Sequence, residues 1–174
     1  MYGDYSFRKR MLFSFWILLL AALLLPPWYY LRVLTAQIQD EAADFAVQQL
    51  DLIQWLIERE DGIQSDEQLH GLLAELGTKV GMRLTYVANG GKVIADSQLP
   101  FSEIHTLENH ASRSEIAQTQ TSRIGVATRF SGTTGKELMY TAKRVPGIGV
   151  VPPGVLRLAS PLSKTKEPVE KLRL

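Results

Sequence analysis

Between Met11 and Leu31 the chain reads MLFSFWILLLAALLLPPWYYL, 21 residues without a charge. As a helix this run is about 31 Å long, which matches the hydrocarbon core of a bilayer. Arg8, Lys9 and Arg10 precede it. After it comes only Arg32, then Asp40, Glu41 and Asp44. Basic flanks stay in the cytoplasm, so residues 1–10 are expected inside, 11–31 across the membrane and the remainder outside. Trp28, Tyr29 and Tyr30 suit the outer interface, where aromatic rings gather. Pro26 and Pro27 deprive the carbonyls of Ala22 and Leu23 of their donors, so a kink or break is expected there. A cleaved signal peptide is the rival reading, but no small-residue cleavage site follows the run. Leu34-x-Ala36 is distant and poor.

The rest of the chain is balanced rather than biased. Nineteen Lys+Arg against 18 Asp+Glu argue against nucleic acid as a partner, which draws on a strong basic excess. The absence of cysteine excludes a disulfide scaffold, a Cys-zinc site and a Cys nucleophile.

From Leu31 to about Glu60 there is no Gly or Pro, and Asp61-Gly62 is a natural stop, so residues 32–61 read as one long helix. Ile38, Phe45 and Leu52 recur every seven residues, with Ala42, Gln49 and Leu56 as a second seam. Leu50, Ile53 and Ile57 form another stripe. Two apolar stripes fit a helix serving two neighbours, its own domain and a second copy of itself, or else one wide core face. Ser65 begins a shorter helix, with Gln68 at capping-box spacing, Leu69, Leu72, Leu73 and Leu76 on its buried face and Gly77 or Gly81 at its end.

Strand-like texture follows. RLTYVA (83–88), the turn Asn89-Gly90-Gly91-Lys92 and VIAD (93–96) make a hairpin. A loop with Pro100 and a short helix over Ser114 to Thr121 lead to a second hairpin, GVATRFS (125–131) and ELMYTAKRV (137–145), joined by Gly-Thr-Thr-Gly. VLRLAS (155–160) is a fifth strand, and the charged tail 164–174 begins another helix. The expected class is α+β, a five-stranded antiparallel sheet with helices packed on it. Residues 33–82 carry 2 Lys+Arg and 10 Asp+Glu, a net of −8, while residues 83–174 carry 13 and 7, a net of +6. Acidic helices beside a basic sheet account for this, and such complementarity also favours packing between copies.

Chemistry-bearing motifs are missing. There is no P-loop, G-x-G-x-x-G, H-E-x-x-H or G-x-S-x-G, and no ATP-binding or phospho-accepting segment. His105 and His110, five apart, suit neither a helix face nor a strand face as a ligand pair. Neither a metal, a cofactor nor a catalytic residue is expected in this chain.

The stretch LENHASRSEI (107–116), followed by TRFSGTTGKELMYTAKRV and GVLRLASPLS and preceded by RLTYVANGGKVIADS, resembles the extracytoplasmic PAS-like sensor domain of phosphate-regulon-type sensor histidine kinases. The resemblance covers roughly residues 30–170. Glu108, Asn109, His110, Arg113 and Glu115 match the family's E-N-H-x-x-R-P-E segment, and Ser114 stands where the family has Pro. It implies a sensor domain over 62–163, a dimer through the Ile38, Phe45 and Leu52 stripe, and an inner-membrane bacterial protein that passes a signal across the bilayer by helix movement. It also implies that 164–174 begins a membrane-returning helix, with the kinase domain lying beyond this chain. The alternatives are a chemoreceptor or cyclase sensor, or an anchored protein that binds an envelope partner.

Arg113 can hold an anionic ligand through its fork of donors, or pair with Glu108 or Glu115 and pin the loop. Asn109 is placed to cap the following helix, and His110 to titrate near neutrality or to serve the structure. A pocket is expected between the sheet and this loop. Alternation sets Tyr86 opposite Thr85 and Tyr140 opposite Thr141. Arg129 and Arg157 either converge there on an anion or project into solvent. The candidate ligand set is therefore Arg113, His110, Arg129 and Tyr140, with Glu108, Asn109 and Glu115 as the motif's frame.

Overall fold

A computed structural model describes residues 4–60, 63–131, 135–147 and 149–161. The chain divides into two compact units, residues 1–40 and 41–174. One helix, α1 (Asp4–Arg59), contributes to both. It continues through Pro26 and Pro27, so the expected break is absent, and a separate start after the anchor is not needed. In the first unit the apolar side chains are exposed, Leu18, Leu23 and Tyr30 among them, on a helix long and apolar enough to cross a membrane. The Arg32 guanidinium lies 5.6 Å from the Trp28 ring.

In the second unit α1 turns one stripe inward. Ala42, Ala46, Leu50, Ile53 and Ile57 are buried, spaced three and four apart as a helix face requires. Phe45, Leu52 and Trp55 remain 54%, 49% and 49% exposed on the other side. The expected outward seam is thus split: Phe45 and Leu52 are exposed, Ile38 is half-buried, Ala42 lies in the core and Leu56 packs against it, because the inward face of the helix is wider than one stripe. The short helix α2 (Asp66–Val80) is capped by Ser65, whose Oγ accepts from the Gln68 amide at 3.2 Å, while Gln68 Oε1 accepts from the Gln64 amide. It ends at Gly81 in the left-handed region, φ 64°, not at Gly77. Gly77 is a packing residue, because a Cβ there would lie 2.6 Å from the Ser97 side chain.

Five strands follow, β1 (Arg83–Ala88), β2 (Val93–Asp96), β3 (Ile124–Ser131), β4 (Lys136–Val145) and β5 (Gly154–Pro161). They form one antiparallel sheet in the order β2-β1-β5-β4-β3. A 3₁₀ helix, Phe101–Thr106, occupies the expected loop, and α3 is only Ser114–Gln118. The turn residues 132–134 and the tail 162–174, including the expected returning helix, lie outside the described residues.

Register assigns the two sheet faces. Leu84, Tyr86, Leu156, Leu158 and Met139 join the α1 and α2 residues in the main core. Burial pushes the Tyr86 phenol up to about 12, and its hydroxyl donates to the Pro152 carbonyl at 2.8 Å. On this face buried Lys143 reaches Asp51 of α1, one instance of the acidic-helix, basic-sheet complementarity. The opposite face carries Thr85, Val87, Val155, Arg157, Tyr140 and Ala142. There a smaller core, Val87, Val93, Ile104, Ile116, Ala142 and Val155, closes under the 3₁₀ helix and α3.

Candidate functional site

The E-N-H segment is fastened to the first hairpin. Asn109 Nδ2 donates to the Gly90 carbonyl at 2.7 Å, its Oδ1 accepts from the Ala111 amide, and the His110 amide donates to the Gly91 carbonyl at 2.8 Å. Gly91 allows this approach, with φ +89° and a would-be Cβ only 2.1 Å from Asn109 Oδ1. Asn109 thus ties a loop to a turn. It does not cap α3, whose N-cap position is Arg113 without a side-chain bond. Arg113 pairs loosely with exposed Glu108 at 3.7 Å.

Glu115 has a different partner set. Fully buried, it receives Arg129 Nη1 at 3.4 Å, Arg129 Nη2 at 3.3 Å and Arg157 Nη1 at 3.3 Å. Arg157 Nη2 donates to Thr85 Oγ1 at 3.1 Å, and that hydroxyl donates to Asp96 Oδ2 at 2.8 Å. Arg83 Nε closes the chain on Asp96 at 3.0 Å. Three guanidiniums and two carboxylates therefore run across the sheet, from β2 (Asp96), β1 (Arg83), β5 (Arg157) and β3 (Arg129), and from α3 (Glu115). The alternation of β1, β4 and β5 makes this possible, since Thr85, Arg157 and Tyr140 point to one face. The Tyr140 ring lies 3.9 Å from the Arg129 guanidinium carbon and 5.4 Å from that of Arg157, so its face orders both.

The structure thus brings Arg129 and Tyr140 together with Arg157, Glu115, Thr85, Asp96 and Arg83. Arg129 and Arg157 do not project into solvent but converge on an internal carboxylate. Buried Glu115, Arg157 and Tyr140 pack between the sheet and α3, in the region where a pocket is expected. A groove of about 450 Å³, lined by Ala42, Phe45, Val80, Met82 and Pro161 among others, opens instead on the α1 side of the sheet. Thr85, Asp96 and Arg83 were not singled out from the sequence. Their only signal was alternation, a threonine and an arginine at odd positions of an otherwise apolar strand. Among the described residues no three His, Asp or Glu side chains gather as a metal site.

His110 is buried, and its Nδ1 has no hydrogen-bond partner. Burial first, then the charges of Arg157, Arg113 and Arg83, hold its imidazole down to about 4, against which Asp96 acts weakly. An unfolded histidine takes its proton near 6.5, so the unfolded chain binds more protons as pH falls from there toward 4. Folding stability is expected to decline by up to roughly 3 kcal/mol across that window. Urea unfolding of the wild type and of His110→Gln, compared at pH 7 and pH 4.5, checks this. The variant should lose less stability on acidification.

No protein-family model matches the chain, and no curated protein matches it. Solved structures do. The ligand-binding domain of the Pseudomonas aeruginosa PAO1 amino acid chemoreceptor PctC, in complex with GABA, superposes with a TM-score of 0.55 at 12% identity, covering 78% of this chain and 64% of that one. The ligand-binding domain of the Campylobacter jejuni chemoreceptor Tlp3, in complex with 4-methylisoleucine, gives 0.53 at 12% identity, covering 79% and 57%. The sensor domain of the Vibrio cholerae histidine kinase DctB gives 0.50 at 20% identity, covering 80% and 60%. This chain thus spans less than two thirds of each of those chains. Its long N-terminal helix and five-stranded antiparallel sheet share the fold of sensor and ligand-binding domains from chemoreceptors and a histidine kinase.

Proposed function

We propose that this chain is the membrane-anchored sensor module of a signalling protein. The apolar run crosses the cytoplasmic membrane with residues 1–10 inside, and the sheet domain meets the signal outside. One observation carries the reading: the helix that holds the uncharged run also supplies Ala42, Ala46, Leu50, Ile53 and Ile57 to the core of the sheet domain. A change in that core has a covalent, helical route into the membrane. Interface helices commonly pass such changes as shifts of ~1–2 Å. The signal is a small anionic ligand read by Arg129, Tyr140, His110 and Arg113, or an envelope protein. It acts only through unequal affinity for two arrangements.

Two copies meet through Ile38, Phe45 and Leu52, of which Phe45 and Leu52 are exposed and Ile38 is half-buried. The protein has no native cysteine, so single cysteines along α1 give a clean test. In native membranes, positions 38, 45 and 52 should cross-link and positions 50 and 53 should not. Uniform or absent cross-linking overturns the dimer. Protease added outside intact cells should cut beyond Trp28, and protection there overturns the topology.

The E-N-H-x-x-R-x-E segment favours a sensor histidine kinase of the phosphate-regulon type. The fold similarity to chemoreceptor domains supports a chemoreceptor output as the second reading. The coding sequence after Leu174 decides, by encoding either an ATP-binding kinase domain or a methyl-accepting coiled coil.

A further inference from the structure

We infer that Glu115 is a built-in occupant of an anion site, and that a short aliphatic carboxylate from solution competes with it for Arg129 and Arg157. The inference rests on the sensor reading only for its consequence in signalling. The site itself rests on the geometry.

Three features distinguish this cluster from an ordinary structural ion pair. Its contacts are slack. All three guanidinium–Glu115 distances are 3.3–3.4 Å, whereas charge-assisted pairs settle near 2.7–2.9 Å. Its donors are not exhausted. Arg157 is buried, and its Nε has no hydrogen-bond partner, nor has Nδ1 of buried His110. Buried polar atoms normally find partners, so these are places where an incoming group is missing. Its charge is unequal. Among the described residues Arg83, Arg129 and Arg157 pair with two carboxylates, Asp96 and Glu115, so the cluster keeps an excess of positive charge whether Glu115 or a carboxylate from solution holds the guanidiniums.

The chemistry of the competitor follows. Planar forks on both guanidiniums, held in place by the Tyr140 face, match a carboxylate better than a spherical halide. Val87, Ala142, Val155 and Ile116 are buried on the same side of the sheet, an apolar surrounding that favours a short aliphatic chain over a polar one. Entry is by way of Arg129, whose side chain is 31% exposed while that of Arg157 is buried. Glu115 sits on α3, so a ligand that takes its guanidiniums removes the ionic tie of α3 to the sheet and leaves the Gln118–Val126 bonds to hold it. That is the unequal arrangement a sensor requires.

The test uses the full chain in lipid nanodiscs at fixed ionic strength, titrated calorimetrically with propionate, inorganic phosphate and chloride. Propionate should bind saturably to the wild type, and chloride should not. Glu115→Gln, which removes the internal competitor's charge but keeps its shape, should bind propionate about tenfold more tightly. Arg129→Gln should bind it at least tenfold more weakly. A merely structural Glu115 moves the first comparison the other way, or not at all. If Glu115→Gln does not fold, the Arg129→Gln comparison alone decides. No saturable binding of propionate to the wild type, or equal affinity in wild type and Arg129→Gln, overturns the inference, as does phosphate binding that outcompetes propionate. Failure here with the 38/45/52 cross-linking rhythm intact overturns this site and leaves the sensor reading standing. Propionate binding without that rhythm does the reverse.

Discussion

Gly125→Ala is expected to destabilise the sheet domain by about 3 kcal/mol and lower its thermal midpoint by roughly 10 °C. Gly125 lies on β3 where the strand passes under α3. A Cβ built there would sit 1.9 Å from the Glu115 carbonyl oxygen and 2.9 Å from Gln118 Cβ. The first neighbour is backbone, so no side-chain rotation relieves it. Either α3 lifts or β3 bends. Lifting α3 pulls Glu115 from its two arginines, and bending β3 disturbs its pairing with β4, where Gly125 sits opposite Ala142. Gly71→Ala is the matched control. Nothing lies within 4 Å of its would-be Cβ, and it is an interior position of α2. There the same change should add up to about 1 kcal/mol, because alanine is the better helix former. Thermal unfolding of both variants in one buffer checks the pair. Equal effects on the two would overturn the assignment of Gly125 as a close-approach glycine.

Arg157→Met should cost about 3–5 kcal/mol, the range for breaking a buried ion pair from one side. The substitution leaves Glu115 buried with Arg129 alone and takes from Thr85 Oγ1 the donor at 3.1 Å. Burial lowers the pKa of the Arg157 guanidinium while Glu115 raises it, so the charge is tolerated chiefly through that carboxylate. The double variant Arg157→Met with Glu115→Leu should recover much of the loss, since apolar groups of similar volume often replace a buried pair at little cost. Arg129 is then free to turn toward solvent, which its partial exposure permits. Urea unfolding of the two single variants and the double variant closes the cycle. Additive losses would show that Arg157 and Glu115 act independently, contrary to the contacts described.

Strands and helices were legible because alternation and helical spacing are local. RLTYVA, VIAD and ELMYTAKRV each sit within a residue of the observed strand ends. The inward stripe Leu50, Ile53 and Ile57 of α1 was legible too, whereas Ala42, read as part of the outward seam, belongs to the core and Ile38 is half-buried. The continuation through Pro26 and Pro27 was not, because the rule for proline in a helix treats missing donors as decisive. Nor was the α3 cluster. Its motif residues Glu108, Asn109 and Arg113 stay near the loop, whereas Glu115 finds Arg157 at a separation of 42 residues and Arg157 finds Thr85 at 72. Such pairings depend on strand order, and strand order is not written in any local pattern. The same holds for Gly125 and Gly91, whose need for a missing Cβ arises only when another segment arrives.

That strand order also dictates a timetable for the growing chain. The last of the five described strands to be synthesised, Gly154–Pro161, is the middle one of the sheet, flanked by β1 and β4. Until it emerges, the two earlier hairpins have no neighbour in common, and Leu156 and Leu158 are missing from the main core. The main core therefore closes only after this strand has been made.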